Sequence, residues 1–211
     1  MDRFMFKIIV KMPSMDELMD IVNMTQKTMA EVADAACNGE QLLEMRKTAN
    51  AIPVATEVMQ YAMMLCSATH PDSEHAAEAS KKYIRLGASP RAGQALISAA
   101  KVKALMNGRY NVSYDDINEL AFPVLRHRMK LTFEAIAERV SADDVVSMIV
   151  KVTKTKNGEK ILQKVQANGG YCPCRVEKNE DTKCMCKEFR DQIADPNFEG
   201  YCHCMLYYKA I

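Results

Sequence analysis

The sequence contains no tryptophan, only eight glycines and seven prolines in 211 residues, and aromatic residues make up 7% of it. So little Gly and Pro excludes a collagen-like or low-complexity chain and leaves helices few interruptions. Charge of one sign is also missing, since 28 basic and 27 acidic residues leave a net charge of +1. The balance holds along the chain, with 18 basic and 19 acidic residues before Thr153 and 10 and 8 from there on. No basic face marks a nucleic-acid binder, and no acidic tail marks a solvated arm. No apolar run approaches the roughly 18 residues needed to span a bilayer. The N-terminal Met-Asp-Arg-Phe-Met-Phe-Lys lacks the basic, apolar, small order of a signal peptide. These absences predict a cytoplasmic protein without nucleic-acid or membrane partners, in a compartment where clustered thiols usually serve metal or redox chemistry.

What is present is mostly helix. Apolar residues make up 48% of the chain and sixteen are Met, a good helix former that fills irregular cores. Phe4 to Met12 alternates and is rich in Ile and Val, which predicts one strand. Ser14 with Glu17 forms a capping box opening a helix to about Asp34. Short helices follow over Glu40–Thr48 and Pro53–Ala68, and a polar one over Ser73–Lys82. Ser89 as cap and Pro90 at the first helical position open a strong helix that Asn107-Gly108 ends. Ser113 caps the next helix, and Ser141 caps a last one through Val150. The polar run up to Gly158 reads as a connection. The chain is therefore expected to be mainly α, with a helical bundle preceded by one strand over residues 1–152. A linker over 153–159 and a small α-rich cysteine domain over 160–211 complete it.

Eight cysteines are distributed unevenly. Cys37 and Cys66 stand alone on apolar helix faces and read as small buried hydrophobes. The other six form three Cys-x-Cys pairs: Cys172/Cys174, Cys184/Cys186 and Cys202/Cys204. Three readings of this cluster stay open on the residues alone. A structural zinc site takes four ligands and leaves two thiols without a task. A four-iron cluster takes four thiolates and lets the other two form a redox disulfide. Plain disulfides are the third reading.

Tyr171-Cys-Pro-Cys-Arg175, Cys184-x-Cys186-Lys-Glu-Phe189 and Gly200-x-Cys-His-Cys204-x-Leu206-Tyr207 resemble the catalytic chain of ferredoxin–thioredoxin reductase, over about residues 160–209. The resemblance implies a 4Fe–4S cluster held by Cys172, Cys184, Cys186 and Cys202. It implies a redox pair of Cys174, which attacks a target disulfide, and Cys204, with His203 handling the proton. A ferredoxin-like donor and a thioredoxin-like target would be the partners, and Arg175, Lys183 and Lys187 either a solvated face or the docking charges. Met185 replaces the Pro of the plant-type proteins, and the spacings differ from theirs, as in a short bacterial or archaeal form.

The first 152 residues carry a second, independent resemblance. Asp2-Arg-Phe-Met-Phe-Lys7, Pro13-Ser14, Leu86-Gly-Ala-Ser-Pro-Arg-Ala92 and Val124-Leu-Arg-His-Arg128 are similar to the C-terminal portion of MoxR-type AAA+ ATPases. This implies a helical lid in which Arg91 reaches a nucleotide's γ-phosphate and Arg3 contacts a neighbour's nucleotide within a ring of such subunits. His127 reads as a helix-packing residue. The chain has no Gly-x-x-x-x-Gly-Lys-Ser/Thr loop and no acidic strand end for Mg²⁺. By itself it is expected not to hydrolyse ATP, and a truncated or rearranged gene is the corresponding expectation.

Overall fold

The computed structural model describes residues 2–26, 34–172, 178–202, 204 and 206–209. Helices α1 (Met15–Gln26), α2 (Gly39–Ala51), α3 (Thr56–Ala68) and α4 (Glu78–Tyr83) come first. Strand β1 (Ile84–Leu86), α5 (Pro90–Met106), α6 (Tyr114–Leu125), β2 (Lys130–Leu131) and α7 (Phe133–Ala137) follow. A long α8 (Ala142–Ala167) leads to α9 (Lys187–Ala194) and the strands β3 (Gly200–Tyr201) and β4 (Tyr208–Lys209). The fold is mainly helical, with two short antiparallel ribbons, β1–β2 and β3–β4.

Three of the predicted capping signals are satisfied. Ser14 and Glu17 exchange bonds ahead of α1, and Ser113 with Asp116 and Ser141 with Asp144 do the same ahead of α6 and α8. Each box satisfies amide donors that the first helical turn would leave open. The core lies where α3, α5, α6 and α8 pack together, around the fully buried Leu65, Leu96, Ile117, Leu125 and Ile149. Small residues on α5 (Ala92, Ala95, Ala99 and Ala100) let its neighbours approach closely. In the Leu-Gly-Ala-Ser-Pro-Arg run, Gly87 has no room for a side chain, since a Cβ there would stand 2.7 Å from the His70 ring.

Several expectations are corrected. Phe4–Met12 forms no strand among the described residues; Phe4 and Met5 lie in a bend and Phe6–Met12 takes no regular structure. A strand needs a neighbouring strand to complete its ladder, and here the Lys7 amide donates instead to the Pro123 carbonyl of α6. Residues 153–159 are not a linker, because α8 runs unbroken from Ala142 to Ala167 straight through Gly158. The stripe Ile149, Thr153, Asn157, Ile161 and Val165 is buried on one face at helical spacing. Thr153 settles its hydroxyl on the Ile149 carbonyl at 2.8 Å, so packing overrides poor local propensity. Cys37 is exposed, unlike Cys66. The cysteine segment is less helical than expected, holding one eight-residue helix and one ribbon. Its Cys172, Cys186, Phe189, Cys202 and Cys204 belong to the same apolar cluster as the helices, and Val165 of α8 lies against the cysteines.

Candidate functional site

The first site forms at the start of α5, because the chain's first residues fold back onto it. Arg126 donates to the Lys7 carbonyl at 2.9 Å, and the Lys7 N–H donates to the Pro123 carbonyl at 2.9 Å. His127 Nε2 lies 2.9 Å from the Phe4 carbonyl. Arg128 donates to the carbonyls of Phe4 at 2.7 Å and Met5 at 3.0 Å. Three consecutive residues after α6 thus clamp residues 2–7. His127 is part of this clamp, more than the helix-packing residue the sequence suggested.

The clamp brings Arg3 and Arg91 into one open groove with Gln94, Ser98 and Arg128. Arg91 is 54% exposed, whereas the Arg128 side chain is only 2% exposed. Burial lowers the Arg128 pKa, and the Asp2 carboxylate works against that shift. Ser89, expected to cap α5, makes no side-chain bond to the helix backbone. Its hydroxyl donates instead to the Asp2 carboxylate. The sequence motifs pointed to Arg3 and Arg91 as site residues and assigned no role to Asp2 and Arg128, although both stand in the quoted runs Asp2–Lys7 and Val124–Arg128.

The second site lies beyond α8. The Cys172 amide donates to the Thr182 carbonyl and the Cys184 amide to the Gly170 carbonyl, both at 2.9 Å, which sets Cys172 beside the Cys184/Cys186 pair. The amide of Cys202 donates to the Tyr207 carbonyl at 2.9 Å, bringing the third pair onto them. Five cysteines (Cys172, Cys184, Cys186, Cys202 and Cys204) line one pocket, closed by Val165, Met185, Leu206 and Tyr207. All but the half-buried Cys184 are buried.

The Cys172 and Cys204 sulfurs lie 3.0 Å apart, in contact but beyond the ~2.05 Å of a disulfide. Tyr207 touches two thiols. Its amide donates to Cys202 Sγ at 3.3 Å, and its hydroxyl is hydrogen-bonded to Cys184. Burial raises the Cys184 pKa, with the neighbouring thiols acting in the same direction. Phe189 backs the pocket, stacked on Tyr207 at 6.5 Å and edge-on to Phe198 at 6.3 Å.

Cys174 and His203, with Arg175, lie outside the described residues. Among the described residues, no group of three or more His, Cys, Asp or Glu side chains stands in metal-holding geometry. The donor chemistry of the pocket nevertheless suits a thiolate-held group, being five thiols with apolar walls and no carboxylate among the lining residues. None of the described helices is long and apolar enough to cross a membrane.

The fold and the groove define a class. Residues 76–149 match the AAA lid domain, which spans α4 through the first turns of α8. Among proteins of known sequence, the chain is similar to the chaperone MoxR1 of Mycobacterium tuberculosis, 32% identical over 150 residues, covering 71% of this chain and 40% of that one. It is 29% identical over 157 residues to the uncharacterized protein YeaC of Bacillus subtilis, covering 73% and 46%. Among solved structures it resembles a Cytophaga hutchinsonii protein assigned as an ATPase, with a TM-score of 0.63 and 30% identity over 71% of this chain and 46% of that one. The chain thus spans less than half the length of the relatives it matches, and the lid match ends before the cysteine segment.

Proposed function

We propose that this chain is a MoxR-type AAA+ lid module that docks onto AAA+ subunits and places Arg91 and Arg3 at a nucleotide those subunits bind. The observation that carries this reading is the uncovered apolar surface leading into the lid. Phe4 is 68% exposed, Ile8 76%, Val10 86% and Met12 80%, and Met15, Met19 and Val22 of α1 are exposed beside them in sequence. As a strand this segment would put Phe4, Phe6, Ile8, Val10 and Met12 on one face and Lys7 and Lys11 on the other, the pattern of a strand in a sheet with one covered face. Among the described residues nothing supplies that sheet. A partner subunit supplies the missing neighbours, and the clamp of Arg126, His127 and Arg128 fixes the lid to the docked strand. The lid brings arginines but no phosphate loop, so nucleotide hydrolysis belongs to the partner. Co-expression with a full-length MoxR-type ATPase tests this. The two are expected to co-elute, and Ile8→Asp with Val10→Asp is expected to abolish co-elution while helical content is kept. Separate elution in the presence of ATP overturns the reading.

The cysteine pocket supports a second activity in the same chain, a disulfide reductase of the ferredoxin–thioredoxin reductase type. A 4Fe–4S cluster held by Cys172, Cys184, Cys186 and Cys202 would supply electrons singly from a ferredoxin-like donor. Cys174 and Cys204 then serve as the dithiol that reduces a thioredoxin-like disulfide, with His203 holding the proton. The burial of Cys204 keeps that thiol from water, and Tyr207 orients Cys184 and Cys202. Protein purified without oxygen is expected to be brown, with about four irons per chain. A colourless protein with one zinc, the structural alternative, would sink this reading.

A further inference from the structure

Between α3 and α8 lies an open groove of about 600 Å³ that shares no lining residue with the arginine groove or the cysteine pocket. Its size falls within the roughly 300–1,000 Å³ of ligand-binding clefts. Met59 and Met63, four residues apart on α3, are exposed along it, and the buried Met64 lines it with them. Methionine is unbranched and adaptable, so such a wall accepts apolar side chains of several shapes. From α8 come Asn157 and, one turn on, Lys160.

Asn157 is a separate indication of a ligand. Asparagine is a poor helix former, yet this one stands inside α8 and is only 8% exposed. Its carboxamide carries two donors and an acceptor, and among the described residues it makes no hydrogen bond. Burying such a group without partners costs stability. Lys160 is also poorly matched. Among the described residues its Nζ donates to Met64 Sδ alone, at 3.4 Å, and a thioether is a weak acceptor. No Asp or Glu lines the groove. The nearby Glu57 and Glu74 face Lys164 and His75, at 3.5 and 3.4 Å.

We propose that this groove binds a short extended peptide segment bearing an apolar side chain next to a carboxylate. The Asn157 carboxamide pairs with one residue of that segment, donating to its carbonyl and accepting from its N–H, as a neighbouring strand would. The methionines take the apolar side chain, and Lys160 takes the carboxylate. A helical ligand offers no such backbone pair, because its N–H and C=O groups are already bonded to one another. A fatty acid offers acceptors only and leaves the Asn157 oxygen unmet. An asparagine held for binding rather than folding also leaves a mark on stability, since replacing it by an apolar residue of similar size removes a cost.

The full chain, labelled with ¹³C at the methionine methyls, is titrated with acetyl-Leu-Glu-Leu-amide. The Met59, Met63 and Met64 resonances are expected to shift saturably. Acetyl-Leu-Lys-Leu-amide and decanoate at the same concentrations are expected to leave them in place. Lys160→Met is expected to weaken the glutamate peptide about threefold and to remove most of the salt dependence. Asn157→Leu is expected to weaken it about tenfold, with the melting temperature unchanged or raised. An Asn157→Leu chain that binds equally well, or that melts lower than the unaltered chain, overturns the proposal. So do shifts that decanoate or the lysine peptide reproduces, and so do unmoved methionine resonances in the unaltered chain.

Discussion

Asp116 shows how much one residue can hold at the start of α6. It accepts from the Ser113 amide at 2.8 Å and the Ser113 hydroxyl at 2.9 Å, and Arg109 grips both its oxygens, at 2.9 and 2.5 Å. Burial alone would raise its pKa, but the bonds from Arg109 and Ser113 outweigh that and hold it below the ordinary 3.8. A carboxylate depressed on folding stabilises the native state above its unfolded pKa, and the contribution is lost as pH falls through the folded value. Stability is therefore expected to fall with acidification below about pH 4, with a shallower slope in Asp116→Asn. Asp116→Ala is expected to lower stability by about 1–2 kcal/mol, mostly from the lost cap, because the half-exposed Arg109 adds little. Urea unfolding as a function of pH checks both. Cys66 illustrates the opposite environment, where burial pushes the thiol up to about 12 and keeps it protonated and inert.

At the scale of the element, α8 does most to unite the molecule. Its N-terminal half completes the lid core through Val145, Val146 and Ile149, and its C-terminal half carries Val165 to the cysteine pocket. Lys164 pairs with Glu57 of α3 at 3.5 Å on the way. Gly158 sits in the middle of this helix with open space where a Cβ would go. Gly158→Ala is expected to stabilise the protein by about 0.5–1 kcal/mol, since alanine loses less entropy there and meets no clash. A rise in melting temperature checks this; an unchanged or lowered one would mean that α8 breaks at Gly158 in solution, as the sequence alone suggested.

For the whole molecule, the dominant fact is an imbalance between the two ends of the lid segment. Residues 56–150 bury a dense core, whereas α1 and α2 have no buried residue at all. Leu42, Leu43 and Met45 on α2 add to the apolar surface of α1 and the N-terminal segment. Apolar patches of this kind mark surfaces that another molecule covers. Without a partner, the chain is expected to self-associate in a concentration-dependent way. Replacing Ile8 and Val10 by Lys should suppress this with a stability change within about 0.5 kcal/mol, because exposed side chains contribute little to the core. Sedimentation velocity across a concentration series, alongside thermal melts, measures both effects.

The helix starts were legible in the sequence because a capping box is a local exchange of bonds over three residues, as at Ser14–Glu17, Ser113–Asp116 and Ser141–Asp144. The pairing of cysteines into Cys-x-Cys units was legible for the same reason, and so were Arg3 and Arg91, through the short runs that contain them. What spans the chain was not. Ser89 looks like a helix cap until Asp2, 87 residues away, takes its hydroxyl. Arg126, His127 and Arg128 look like a charged helix end until residues 2–7 lie under them. Residues 153–159 look like a linker until a buried stripe holds them helical, and Phe4–Met12 looks like a strand because its composition fits one. Local bonding is fixed by neighbours in sequence, but ladders, clamps and buried stripes depend on distant segments meeting, which tertiary packing alone decides.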